Sequence, residues 1–166
     1  IGKSAFYNTA WLEAQGDWPA LNGILVVYNG SENVITIPEG MKGVAEGAFS
    51  KVTVEELTFP STMENIPVNA FNANKTIQKV KFSEGVKTIG STAFYKCTAL
   101  SEVQFPKSLT EIGNLAFSGC TGLTEITIPE NIIAVGSSAF SGCTSLEELT
   151  VEGNKTLLGD YAFQNC

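Results

Sequence analysis

The sequence predicts a repeat solenoid: a right-handed α/β superhelix with a short-stranded parallel sheet on one face and helical or 3-10 turns on the other. Three observations predict it. The dipeptide Ala-Phe returns at Ala48-Phe49, Ala70-Phe71, Ala93-Phe94, Ala116-Phe117, Ala139-Phe140 and Ala162-Phe163, with phenylalanines spaced by 22, 23, 23, 23 and 23 residues. Around each marker the apolar residues keep register: Leu100, Val103, Phe105, Leu109 and Ile112 in one copy match Leu123, Ile126, Ile128, Ile132 and Val135 in the next. The cysteines Cys97, Cys120, Cys143 and Cys166 are each 23 apart. Self-similarity at a period of roughly 20–50 residues is the mark of a stacked array.

Each copy reads in the same order. Leu100, Val103 and Phe105 make the L-x-x-L-x-L pattern of a leucine-rich repeat. Its inner pair alternates with period 2, so it reads as a short strand with Val103 and Phe105 inward and Glu102 and Gln104 outward. Equivalent inward pairs are Ile35/Ile37, Leu57/Phe59, Val80/Phe82, Ile126/Ile128 and Leu149/Val151. Six parallel strands about 4.8 Å apart would give a stack on the order of 30 Å long. Pro38, Pro60, Pro106 and Pro129 follow the strands and end them, because proline has no N–H to give the ladder. Gly90, Gly113, Gly136 and Gly159 follow a later apolar residue, where the backbone needs positive φ or a close approach. Segments such as Ser91-Thr92-Ala93-Phe94-Tyr95-Lys96 suit one turn of helix or 3-10 on the far side. The phenylalanines then form an inward spine, each contributing roughly 1.5–3 kcal/mol on burial.

The strand pattern, the Ile112-Gly113-Asn114-Leu115-Ala116-Phe117 turn and the trailing Cys120-Thr121 resemble the BspA-like leucine-rich repeats. The resemblance runs over residues 33–166, with residues 1–9 as part of a rung. It implies a bacterial surface or secreted protein, adhesion or ligand capture, and an extracellular location. It brings no catalytic residues with it.

The chain reads as a partial repeat over 1–9, an insertion over 10–32 with a short helix and a strand, and about six rungs of 22–23 residues over 33–166. The helix is expected over Thr9–Gln15 and the strand over Ile24–Tyr28, with a turn at Asn29-Gly30. Insertions into repeats map to loops, often on the binding face. Trp11 and Trp18 are therefore either candidate partner-binding residues or a plug over the adjacent rung. Lys155 stands where Leu109 and Ile132 stood, and no polar cap follows, so the array reads as part of a longer one.

Charge and composition exclude several functions. A net charge of −7 without a basic stripe argues against nucleic acid. No apolar run approaches the ~20 residues of a membrane-spanning helix. There is no histidine, which removes the commonest general base and metal ligand. No catalytic, cofactor or metal residue is assigned. The cysteines read as a ladder of buried thiols, with inter-rung disulfides and a metal site as alternatives.

The remaining candidates lie on the outward strand face: Glu56, Lys79, Lys81, Glu102, Gln104, Glu125, Thr127 and Glu148. They read either as a solvated face or as a surface that accepts basic side chains. The expected function is a non-catalytic module for protein–protein interaction or adhesion, its partner a host or bacterial surface protein. The alternatives are a structural spacer that displays another domain, and a glycan-binding module. A stacked carboxylate pair of the glycosidase kind needs an enclosing cleft, which a flat row does not supply.

Overall fold

The computed structural model describes residue 10, residues 14–50 and residues 52–166. Alternation of apolar and polar residues makes the first strand of each rung. Strands β3 (Val34–Thr36), β5 (Glu56–Phe59), β7 (Lys79–Phe82) and β9 (Glu102–Gln104) form a parallel sheet in that order. Strands β11 (Glu125–Ile128) and β13 (Glu148–Val151) form a parallel pair of the same kind. In β7 the side chains alternate exposed and buried from Lys79 to Phe82, as the pleat requires.

A second parallel sheet lies one turn further along each rung. It comprises β6 (Asn65–Ile66), β8 (Thr88–Ile89), β10 (Glu111–Ile112), β12 (Ala134–Val135) and β14 (Leu157–Leu158), stacked in register. At the N-terminal end β1 (Ala20–Leu21) pairs antiparallel with β2 (Ile24–Leu25), which pairs parallel with β4 (Gly43–Val44). Ile24-Leu25 thus occupies the place of a second-sheet rung.

Among the described residues of the rungs the expected helical or 3-10 face is not present, and this corrects the α/β reading to a β-solenoid. The far side of each rung consists of turns. The reason is a pair of left-handed residues four apart: Asn69 and Ala73, Thr92 and Lys96, Leu115 and Gly119, Ser138 and Gly142, Tyr161 and Asn165, all with φ between 55° and 74°. A left-handed residue every four positions breaks any right-handed helix. The turn amides bond across rungs instead: Phe94 N–H donates to Ala116 O at 2.8 Å and Lys96 N–H to Ser118 O at 2.8 Å. The glycines at the end of the second strand serve close approach, not positive φ. A Cβ on Gly136 would lie 2.5 Å from Asn114 N, and one on Gly159 2.5 Å from Ser137 N.

Stacking fills the core. The rings of Phe71, Phe94, Phe117, Phe140 and Phe163 follow one another at 5.1–5.2 Å with planes 1–7° apart. Tyr28 extends the column beyond Phe49, at 5.5 Å, and Trp18 lies over Tyr28 at 4.8 Å. A second column, Phe59, Phe82 and Phe105, meets the first edge-on, for example Phe82 to Phe94 at 6.0 Å and 80°. Aromatic pairs in such geometries are worth about 0.5–1.5 kcal/mol beyond burial. Leu149 and Val151, the inward residues of β13, are 43% and 40% exposed because no further strand covers them.

The cysteines repeat the device with sulfur. Cys97, Cys120 and Cys143 are buried free thiols and Cys166 is an exposed one. Each Sγ–H donates to a phenylalanine carbonyl 26 residues earlier: Cys97 to Phe71 O at 3.2 Å, Cys120 to Phe94 O at 3.1 Å, Cys143 to Phe117 O at 3.3 Å. Burial pushes Cys97 and Cys143 up to about 12 from 9.0, and raises Cys120 further. On the outer edge Glu39 accepts the N–H groups of Ser61 and Thr62 at 3.0 and 3.3 Å. Glu84 does the same for Lys107 and Ser108, both at 3.0 Å. These backbone donors are the main reason both carboxyls are held below their ordinary range.

Three predictions follow from the packing. Phe117→Ala removes a ring stacked on both sides and should destabilise the chain by roughly 3–5 kcal/mol, read from urea unfolding; a change under about 1 kcal/mol would show that the column is not the core. Lys96→Gly relieves a left-handed lysine and should stabilise by roughly 0.5–1 kcal/mol net of glycine's entropy; a loss of stability would refute the strain. A thiol reagent should label Cys166 in the native protein and Cys97, Cys120 and Cys143 only after denaturation. Because folding raises these thiol pKa values, their contribution is complete below pH 9 and declines as pH rises toward 12. Rapid native labelling of Cys120 would overturn the burial.

Candidate functional site

The outward positions of the first sheet converge because the ladder is in register. β7 stands between β5 and β9, so Lys79 has Glu56 on one side and Glu102 on the other. One step along, Lys81 lies between Thr58 and Gln104. Glu56 and Glu102 are half-buried; Lys79, Lys81 and Gln104 are exposed. Together with Val80 these five line a shallow depression of about 230 Å³.

The depression is organised by Glu102. Lys79 Nζ sits 3.1 Å from Glu102 Oε2, and Gln104 Nε2 donates to Glu102 Oε1 at 2.7 Å. The Lys79 bond, then that of Gln104, holds the Glu102 carboxyl below its ordinary range. Among the described residues Lys81 has no ion-pair partner. Its ammonium and the half-buried Glu56 carboxylate are the charges of the recess outside the Lys79–Glu102 pair.

Glu125, Thr127 and Glu148 lie outside the depression. They are exposed on β11 and β13, where Glu125 pairs with Glu148 and Thr127 with Thr150. β9 and β11 are neighbours without ladder pairing. The outward face is therefore divided, with mixed charge over β5–β9 and acidic charge over β11–β13. The break between the two parts has no signature in the residue pattern. Lysine at 79 and glutamate at 102 and 125 do signal the change of sign along the row.

The second candidate surface reads differently. Trp18 is half-buried, packed against the core and over Tyr28, whose hydroxyl lies against Gly30. Trp11 lies outside the described residues. Among the described residues no cluster of His, Cys, Asp and Glu could hold a metal ion. None of their helices is long and apolar enough to cross a membrane.

Comparison with known proteins decides the family. Residues 42–166 match the BspA type leucine rich repeat region in six copies. The chain belongs to this family. Among solved structures it is similar to a leucine rich cell surface protein from Faecalibacterium prausnitzii A2-165, at 27% identity and a TM-score of 0.70, over 86% of this chain and 48% of that one. It is similar to a leucine rich repeat protein of T. pallidum at 27% identity and a TM-score of 0.61, over 86% and 59%. A leucine-rich repeat protein from Bacteroides ovatus matches at 25% identity and a TM-score of 0.60, over 78% and 39%. This BspA-type chain thus spans about half the length of these proteins. No curated protein matches it.

Proposed function

We propose that the chain is a non-catalytic protein-interaction module of a bacterial surface or secreted protein, and that the outward face of its first sheet is the binding surface. The observation that carries this is the face itself. It is open, it is built on a rigid ladder, and it presents ordered charge of both signs around a depression of about 230 Å³. Solenoid sheets commonly offer such extended surfaces, and a charged pattern fixed in register selects partners and speeds their encounter. The cell-surface name of the F. prausnitzii protein supports the location.

The partner is a surface or matrix protein that sets basic side chains against Glu125 and Glu148 and an acidic one against Lys81. Carboxylates on adjacent strands, unpaired with lysine, gain most from such a partner. The half-buried Trp18 makes the N-terminal segment a support for the first rung more than a contact surface.

The test is a screen of the purified chain against immobilised extracellular-matrix proteins at two salt concentrations. A hit that weakens with salt and loses at least about tenfold in affinity, roughly 1.4 kcal/mol, in E102K/E125K/E148K supports the sheet face. An unchanged affinity in a variant that keeps its circular dichroism spectrum would remove the face from the binding reaction.

A further inference from the structure

Four of the five steps in the row of first strands are closed by the same pair of backbone bonds. Glu55 and Glu56 N–H donate to Asn33 O at 2.8 and 3.2 Å. Gln78 and Lys79 donate to Glu55 O, both at 2.9 Å, and Ser101 and Glu102 to Gln78 O at 2.8 and 3.2 Å. Glu147 and Glu148 donate to Thr124 O at 2.9 and 3.1 Å. Thr124 and Glu125 hold this place before β11, and their counterpart acceptor is Ser101 O. Neither donates to it, and no ladder joins β9 to β11. The slit reaches the core. Val103 and Phe105, the inward residues here, are half-buried, whereas Val80, Phe82, Ile126 and Ile128 are 0–4% exposed.

The other two sides of the same step are closed. β10 pairs with β12 in register, and Gly136 N–H donates to Ile112 O at 2.7 Å. On the turn side Leu115, Phe117 and Gly119 donate to Ser137, Ala139 and Ser141 at 3.0, 2.7 and 2.8 Å. The Phe117 ring stacks on Phe140 at 5.2 Å with planes 4° apart. At the corner before β11 the backbones touch, so that a Cβ on Gly122 would lie 2.9 Å from Leu100 O. Past the strands a single exposed side-chain bond crosses the step, from Asn131 Nδ2 to Lys107 O at 2.9 Å. Lys107 stands where Glu39 and Glu84 stand, so the carboxylate clasp of the outer edge is absent here too.

We propose that the step from β9–β10 to β11–β12 is a hinge, with the second sheet and the turns as its axis and the first sheet as the side that widens and narrows. A rung tilts about two closed sides without breaking backbone bonds where the third side carries none. Among the described residues this is the one step of the first-strand row that meets the condition. Charge holds it open. Closing in register would set Glu125 between Glu102 and Glu148, and like charges directly opposite one another disfavour pairing. The closed row at β7 has the contrary arrangement, with Lys79 between Glu56 and Glu102. The use of the hinge rests on the reading of the first sheet as the binding face. The mixed charge of β5–β9 and the acidic charge of β11–β13 become two blocks of adjustable spacing, and a partner that grips both selects one spacing.

The experiment is amide NMR on the whole chain without any partner, so its outcome is independent of whether the face binds. In hydrogen exchange Thr124 should be at least about tenfold less protected than Gln78 and Ser101. Phe117 and Gly136, which bond across the same step, should be as protected as Phe94 and Gly113. Residual dipolar couplings should require two alignment tensors, one for residues 52–120 and one for residues 123–166. Glu125→Lys, at an exposed position, recreates the Lys79 arrangement; it should raise the protection of Thr124 several-fold and bring both blocks onto one tensor. The proposal falls if Thr124 is as protected as Ser101, or if Phe117 and Gly136 lose protection along with it, since the whole step then frays. It falls equally if one tensor fits the parent chain, or if Glu125→Lys leaves Thr124 exchange unchanged.

Discussion

Stacking of each rung on the next is the constraint from which the remaining structure follows. A rung of 23 residues carries one inward phenylalanine, one inward strand pair and two residues of second sheet, too little to enclose a core by itself. The neighbouring rung supplies the other side of every contact. Stability is then nearly a sum of identical interfaces, and identity between interfaces requires identity between rungs. That requirement explains why Cys97, Cys120 and Cys143 occupy one position: a small apolar side chain with a weak donor fits beneath each phenylalanine carbonyl. It also explains why glycine closes the second strand, where consecutive backbones come within the reach of a single Cβ.

Much of this was legible in the residues because a period of 23 repeats its evidence. The strand register, the phenylalanine column and the buried thiols each rest on several copies of one pattern. The turns depart from the expected helix because composition alone does not show backbone hand: a single copy such as Ser91-Thr92-Ala93-Phe94-Tyr95-Lys96 suits a helix. The contrary signal was comparative. Gly119 and Gly142 hold the place of Lys96, and Gly47 holds that of Thr92, so both positions tolerate a left-handed backbone. The second sheet leaves no trace in the residue pattern for a different reason. Two-residue strands such as Thr88–Ile89 are too short for any alternation to show. Tyr28 was readable as part of a strand but not as the next ring of the column, since it lacks the Ala-Phe marker that betrays the others.

The candidate site was legible in its membership and not in its grouping. Alternation places Glu56, Lys79, Glu102, Glu125 and Glu148 on one row, but a row of charges on a string has no neighbours. Register supplies them. It sets Lys79 between two carboxylates and leaves Glu125 facing Glu148, so residues of one type acquire opposite roles. Glu102 is spent on Lys79 and Gln104, and holds the depression together. Glu125 and Glu148 repel each other modestly across about 4.8 Å of well-hydrated surface and are the groups that an approaching cation relieves.

Departures from the repeat, not the repeat itself, are where a solenoid acquires specificity. A perfect array presents the same backbone at every step, with all its hydrogen bonds used between rungs. Two kinds of departure occur here. On the sheet side the departure is in side chains, lysine for glutamate at one rung of the outward row, and the backbone ladder is undisturbed. On the turn side it is in length, one residue fewer after Val52. The first changes charge at constant geometry and suits a partner read by electrostatics. The second changes the fit between rungs, and the ring step from Phe49 to Phe71 widens to 5.7 Å with planes 24° apart. The two lie on opposite sides of the same early rungs, so a change in one leaves the other's geometry untouched.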